Sequence, residues 1–134
     1  LFPYAFHFTI YQKKLTIYEV EKMLTKEELP FCPVATTVDL IGNKWKLLIM
    51  RELLTGTKRF NEMHRLVDGI SQKVLTENLR KMESDGIVKR EVFPEVPPRV
   101  EYSLTDLGDS LRPIINSMSD WGTDYIKNNL LEQK

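Results

Sequence analysis

The chain has 134 residues, 42% of them hydrophobic and 28% charged, which suits one compact domain with appended elements rather than a two-domain enzyme or a large barrel. Nineteen basic and nineteen acidic side chains cancel, which excludes a uniformly basic coat but not a local basic face. A single cysteine excludes an intrachain disulfide, and with only His7 and His64 beside it no structural zinc site is expected.

The first 22 residues alternate aromatic and β-branched side chains (Phe6, Phe8, Ile10, then Leu15, Ile17) around Gln12-Lys13-Lys14, a pattern compatible with a short β-hairpin. Residues 1–26 are read as an N-terminal extension and 27–130 as the domain proper. Cys32-Pro33 through Ile41-Gly42 predicts a short helix, with proline at its start and glycine at its end. Asn43 is placed to cap a second helix from Lys44 to Thr55, whose Trp45, Leu48, Ile49 and Leu53 recur at helical spacing. A third helix is expected near Arg59–Leu66, with Phe60, Met63 and either Leu66 or Val67 turned inward. After the Asp68-Gly69 turn, Ser71 caps a fourth helix that runs to about Asp85 and is closed by Gly86. Val88–Phe93 and Arg99–Leu104 follow as two strands, and the intervening prolines stiffen the tip of a hairpin. Thr105 then opens a last helix reaching about Leu130, in which Pro113 should introduce a kink.

Short helices, a tight turn, another helix and then a hairpin make the element order of a winged helix-turn-helix. The fold class expected is mainly α (α+β), with a two-stranded β wing and a long C-terminal dimerisation helix. Charge is concentrated to match. Residues 44–101 hold twelve Lys/Arg against nine acidic side chains, whereas the segments before and after hold four against five and three against five.

The fourth helix has two unlike faces. At about 100° per residue, Gln72, Lys73, Thr76 and Arg80 fall within an arc of about 100°, while Val74, Leu75, Leu79 and Met82 lie opposite. Arg and Lys can pair with guanine, Gln with adenine, and Thr with phosphate or a thymine methyl. The same strip would also suit an ordinary solvated helix, and Glu77 sits at its edge. Lys58 and Arg59 before it, and Arg90 and Arg99 on the hairpin, favour DNA. No nucleophile–base–orienter set, phosphate loop or metal cluster is present, so neither enzymatic activity nor a cofactor is expected.

Six motifs in order carry a family resemblance: Cys32-Pro33-Val34; Leu40-Ile41-Gly42-Asn43-Lys44-Trp45-Lys46; Arg59-Phe60-Asn61-Glu62; Gly69 through Thr76; Asp85-Gly86; and Pro94 through Thr105. Over about residues 27–125 the chain resembles the HxlR-type transcriptional regulators, winged-helix relatives of the MarR regulators. The resemblance implies a homodimeric bacterial regulator of transcription, with the helix that starts at Ser71 in the major groove of double-stranded DNA and the hairpin as wing. Gln72, Lys73, Thr76 and Arg80 are then expected to read bases or phosphates, and Lys58, Arg59 and Arg99 to position the protein on the backbone. Asn43 stands where a second glycine is common in that family, and Thr57 where proline is common.

Leu107, Leu111, Ile114, Met118, Trp121 and Tyr125 recur at alternating spacings of four and three, a heptad-like seam that suits a dimer interface. Packing against its own domain is the alternative. A two-fold dimer would set two recognition helices about 34 Å apart and select inverted-repeat operators. Cys32 precedes a helix start, where a thiolate is favoured, and in some HxlR-type regulators the matching cysteine senses oxidants or electrophiles. A small buried gap-filler is the competing reading. No stretch approaches 18 uninterrupted apolar residues, so no membrane span is expected and the protein is read as cytoplasmic. A winged-helix protein-interaction module without DNA binding is the alternative function. A small effector, the operator and the sign of regulation stay open.

Overall fold

The computed structural model describes residues 32–132. The hairpin expected in the first 22 residues lies outside them. The chain divides at Gly42 and Asn43. The described part of the first unit is helix α1 (Pro33–Ile41), with Pro33 in its first turn and Cys32 at its N-cap. All other elements belong to the second unit: α2 (Lys44–Leu53), β1 (Lys58–Arg59), α3 (Phe60–Leu66), α4 (Gln72–Ser84), β2 (Val88–Phe93), β3 (Arg99–Leu104), α5 (Asp106–Asp109) and α6 (Arg112–Glu132).

Side-chain caps set where the helices begin. The Asn43 carboxamide oxygen accepts from the N–H groups of Trp45 (2.8 Å) and Lys46 (3.1 Å). Ser71 Oγ accepts from Val74 N–H at 3.1 Å, and Thr105 Oγ1 accepts from Gly108 N–H at 3.1 Å. Each satisfies an amide that the helix ladder leaves without a partner. Gly86 follows α4 with φ of +78°, a left-handed turn that glycine adopts without a Cβ penalty.

The core forms where these helices meet the sheet. Ile49 and Met50 from α2, Met63 from α3, Leu75, Leu79 and Met82 from α4, and Val67 and Ile87 from the connections have almost no exposed surface. Of the two inward candidates at the end of α3, Val67 is buried and Leu66 is exposed. The buried stripe of α2 is Lys46, Ile49, Met50 and Leu53, so Met50 takes the place expected for Leu48, and Trp45 and Leu48 are only half-buried. That helix ends at Leu53, and Leu54 and Thr55 form a turn instead of the predicted last residues.

The structure adds a strand to the sheet of the wing and interrupts the last helix. The sheet has three strands in the order β1-β3-β2, all antiparallel, because Lys58 and Arg59 pair with Tyr102 and Glu101. The hairpin itself has the expected bounds, with Val88 opposite Leu104 and Phe93 opposite Arg99. The predicted helix 105–130 is not continuous. It opens as the four-residue α5, turns at Ser110 and Leu111, and restarts as α6 with Pro113 in the first turn. Proline lacks the N–H that would continue the ladder back to Asp109, so the interruption falls just before it. Arg112 braces the joint, donating to the Leu54 carbonyl at 3.3 Å and to Asp109 Oδ1 at 2.7 Å. Among the described residues no helix is long and apolar enough to cross a membrane.

Candidate nucleic-acid interface

Helix α4 is held from behind. Leu75, Leu79 and Met82 are in the core, and Asn78 is buried with them. The Asn78 amide donates to the Val74 carbonyl at 2.8 Å, and its oxygen accepts from Asn43 Nδ2 at 3.1 Å. Asn43 therefore caps α2 with one end of its amide and pins α4 with the other. The departure from glycine at this position thus has a structural use. A buried amide with both ends satisfied fixes register between two helices more sharply than apolar contact alone.

The opposite face carries the predicted strip. Gln72, Lys73 and Arg80 are exposed and Thr76 is half-buried. Lys73 lies 4.0 Å from Glu77, a loose solvent-exposed pair that a phosphate or base can displace at little cost. The Thr76 hydroxyl donates to the Gln72 carbonyl at 2.8 Å, which leaves its methyl group for apolar contact. The Ser71 side chain is used as the helix cap. Four of the predicted reading residues thus share one helix face with Ser71 at its end.

The three expected backbone contacts are less alike. Arg59 is exposed, and its N–H donates to Glu62 Oε1 at 3.1 Å, which closes the first turn of α3. Lys58 Nζ donates to Thr55 Oγ1 (3.0 Å) and to the Gly56 carbonyl (3.2 Å), so its ammonium braces the turn between α2 and β1. Arg99 is the most engaged. It lies 3.4 Å from both Glu95 and Glu101, the second an ion-pair distance without hydrogen-bond alignment, and its guanidinium stacks 4.1 Å over the Phe93 ring. These partners follow from the strand register, which sequence spacing does not reveal.

A basic residue to which the sequence gives no particular role lines a groove beside the strip. Arg90 on β2 joins Phe60, Thr76, Arg80, Glu83 and Tyr102 around a groove of about 430 Å³ between α4 and the sheet. Its position on the hairpin was visible, but its side of the sheet depends on pairing with Tyr102.

The α6 seam is uncovered in the single chain. Trp121 and Tyr125 are 69% and 57% exposed and stack on each other with ring centroids 5.2 Å apart. Ile114, Met118, Ile126 and Leu130 are also exposed, while Ile115 turns into the core. Leu107 is exposed on α5 and Leu111 half-buried in the joint, so the first two seam positions precede the long helix. Cys32 is exposed at the start of α1, and its carbonyl accepts from Thr36 N–H at 3.0 Å. The gap-filling alternative for this thiol is not what the structure has. Among the described residues no group of His, Cys, Asp and Glu is arranged to hold a metal ion.

A capped, amphipathic helix after a tight turn, backed by a hairpin sheet and followed by a long helix, defines a winged helix-turn-helix transcriptional regulator. The chain belongs to the HxlR-like helix-turn-helix family, whose sequence profile matches residues 40–130. It is 48% identical over 101 residues to the uncharacterized HTH-type transcriptional regulator YdeP of Bacillus subtilis, covering 75% of this chain and 79% of that protein. Against YybR of the same organism, described in the same words, identity is 52% over 91 residues, covering 68% and 73%. Among solved structures, the redox regulator HypR in its oxidized form superposes with a TM-score of 0.67 at 50% identity, over 69% of this chain and 96% of that one. Diamide-treated YodB from B. subtilis superposes with a TM-score of 0.60 at 38% identity, over 70% and 94%. These relatives and neighbours are transcriptional regulators, not enzymes.

Proposed function

We propose that this protein is a homodimeric, sequence-specific DNA-binding regulator that acts in the cytoplasm on inverted-repeat operators. Residues 27–130 make up its regulator domain and 1–26 an extension. Helix α4 lies in the major groove, where Gln72, Lys73, Thr76 and Arg80 read base edges or phosphates, with Ser71 at the helix end. Lys58, Arg59 and Arg99 position the protein on the backbone, and the wing (94–99) meets the backbone or minor groove. The observation that carries this reading is the unobstructed polar strip of α4, set opposite a face fixed by Leu75, Asn78, Leu79 and Met82. Arg80→Ala is expected to weaken binding to the DNA flanking the protein's own gene by about 1–3 kcal/mol if it pairs with a base. Fluorescence anisotropy titrations on that fragment measure it, and unchanged affinity and sequence preference would remove Arg80 from the site. If the wild-type protein shows no salt-dependent binding to DNA at all, the protein-interaction reading replaces this one.

The uncovered α6 positions Ile114, Met118, Trp121 and Tyr125 support dimerisation, with Leu107 on α5 and the half-buried Leu111 continuing the seam toward its start. Redox control is read from Cys32, an exposed thiol at a helix start, together with the redox-regulator description of HypR and the diamide treatment of YodB. With one cysteine per chain, oxidation leads to an intersubunit disulfide, a mixed disulfide or a sulfenic acid. Diamide is expected to change operator affinity in the wild type and not in Cys32→Ser. A Cys32→Ser variant that binds DNA and still responds to diamide would exclude the sensor role.

A further inference from the structure

The groove between α4 and the sheet has a composition that the reading strip does not explain. Arg80 and Thr76 line it from the helix, Arg90 from β2, and Phe60, Glu83 and Tyr102 complete it. Arg90 lies on the same side of the sheet as its register partner Tyr102, which is buried. At Arg90 that side turns from core to open groove, since Arg90 itself is exposed. Among the described residues, neither the Arg80 nor the Arg90 guanidinium is engaged by a carboxylate or a carbonyl, in contrast to Arg99 with its two carboxylates. Two unpaired guanidinium groups against one carboxylate, Glu83, leave the groove with an excess of positive charge and planar donor forks suited to a tetrahedral oxyanion.

Its position selects which anion. A helix in the major groove and a wing in the neighbouring minor groove have one sugar–phosphate strand between them. The groove lies between α4 and the two strands that carry the wing. Resting on the DNA-binding reading, we propose that it seats a backbone phosphodiester of that strand, with Arg90 as a further DNA-contacting residue. Arg90 adds from the sheet an unpaired charge, whereas the Arg99 guanidinium is shared with Glu95 and Glu101. Glu83 is the opposing charge in the same seat and keeps sequence-independent binding weak.

The test uses the full chain and two short duplexes of equal length, one from the DNA flanking its own gene and one of scrambled sequence. Affinities are measured between about 50 and 200 mM salt. Arg90→Gln is expected to weaken binding about five- to twenty-fold on both duplexes alike and to flatten the log–log salt slope by about 1.8, about 0.9 for each of the two copies. Arg90→Lys should keep the slope, because one positive charge remains, and Glu83→Gln should tighten binding to both duplexes. Wild-type affinity and slope in Arg90→Gln would overturn the seat, as would a slope lost equally in Arg90→Lys. If Arg80→Ala still weakens binding in that case, the DNA-binding reading survives without the seat. If the wild-type protein shows no salt-dependent binding to either duplex, both fall.

Discussion

Replacing Met118 and Trp121 together by glutamate is expected to convert the protein to a monomer and to reduce operator affinity by about 100- to 1000-fold. Both side chains belong to an apolar face that the single chain leaves in water, and Trp121 is the most exposed large side chain on it. A buried tryptophan removes roughly 150–250 Å² from solvent, so the two copies of Trp121 would supply about a quarter to a third of the roughly 1,200–2,000 Å² a stable interface buries, and Ile114, Met118, Tyr125, Ile126 and Leu130 are available for the rest. Four introduced carboxylates, two from each copy, would have to be desolvated side by side. The loss on DNA follows from linkage rather than from any lost base contact. Joining two reading heads makes the second half-site contact intramolecular, with a gain of about 10²–10⁴ that disappears with the dimer. Light scattering should then give a mass near the 15.7 kDa of one chain. A species of twice that mass in the double variant would show that the interface lies elsewhere.

The second large effect is on stability. Gly108 lies in α5, where a Cβ would collide with the Ile87 carbonyl oxygen and come within 3.0 Å of Leu104 Cδ2. That carbonyl already accepts from the Thr105 N–H (3.1 Å) and the Thr105 hydroxyl (3.2 Å). Here the start of the last helical region is fastened to the junction of α4 and β2. Backbone meets backbone at Gly108, so no rotamer change relieves the clash. Gly108→Ala is expected to cost about 2–4 kcal/mol, despite alanine's better helix propensity of about 1 kcal/mol. The thermal midpoint should fall by roughly 10 °C. A midpoint within two or three degrees of wild type would mean that α5 moves off the sheet freely.

Much of this fold was legible because its signals are local. Asn43, Ser71 and Thr105 cap helices in the structure as their positions before apolar-periodic runs implied, and both long strands have the expected bounds. The strip from Gln72 to Arg80 could be drawn from helical geometry alone. Other features depended on neighbours distant in sequence. Strand β1 has two residues, too few for a period to register, and exists only because β3 offers an edge. Asn78 reads as a surface residue until Asn43 is known to stand across from it. The partners of the Arg99 guanidinium, Glu95 and Glu101, are likewise brought to it by the wing turn and the strand register. Arg90 counts toward DNA in the sequence without a particular role, because its side of the sheet is fixed only by the pairing with Tyr102.

The brace at Arg112 has a mechanical consequence. Helix α6 has 21 residues, about 31 Å of stiff rod, and it springs from a joint clamped to the Leu54 carbonyl just after α2 and to Asp109. One degree of pivot at that joint moves the far tip by about 0.5 Å. If two copies pair through α6 as proposed, the span between their α4 helices would depend on the angle at this joint, remote from any base.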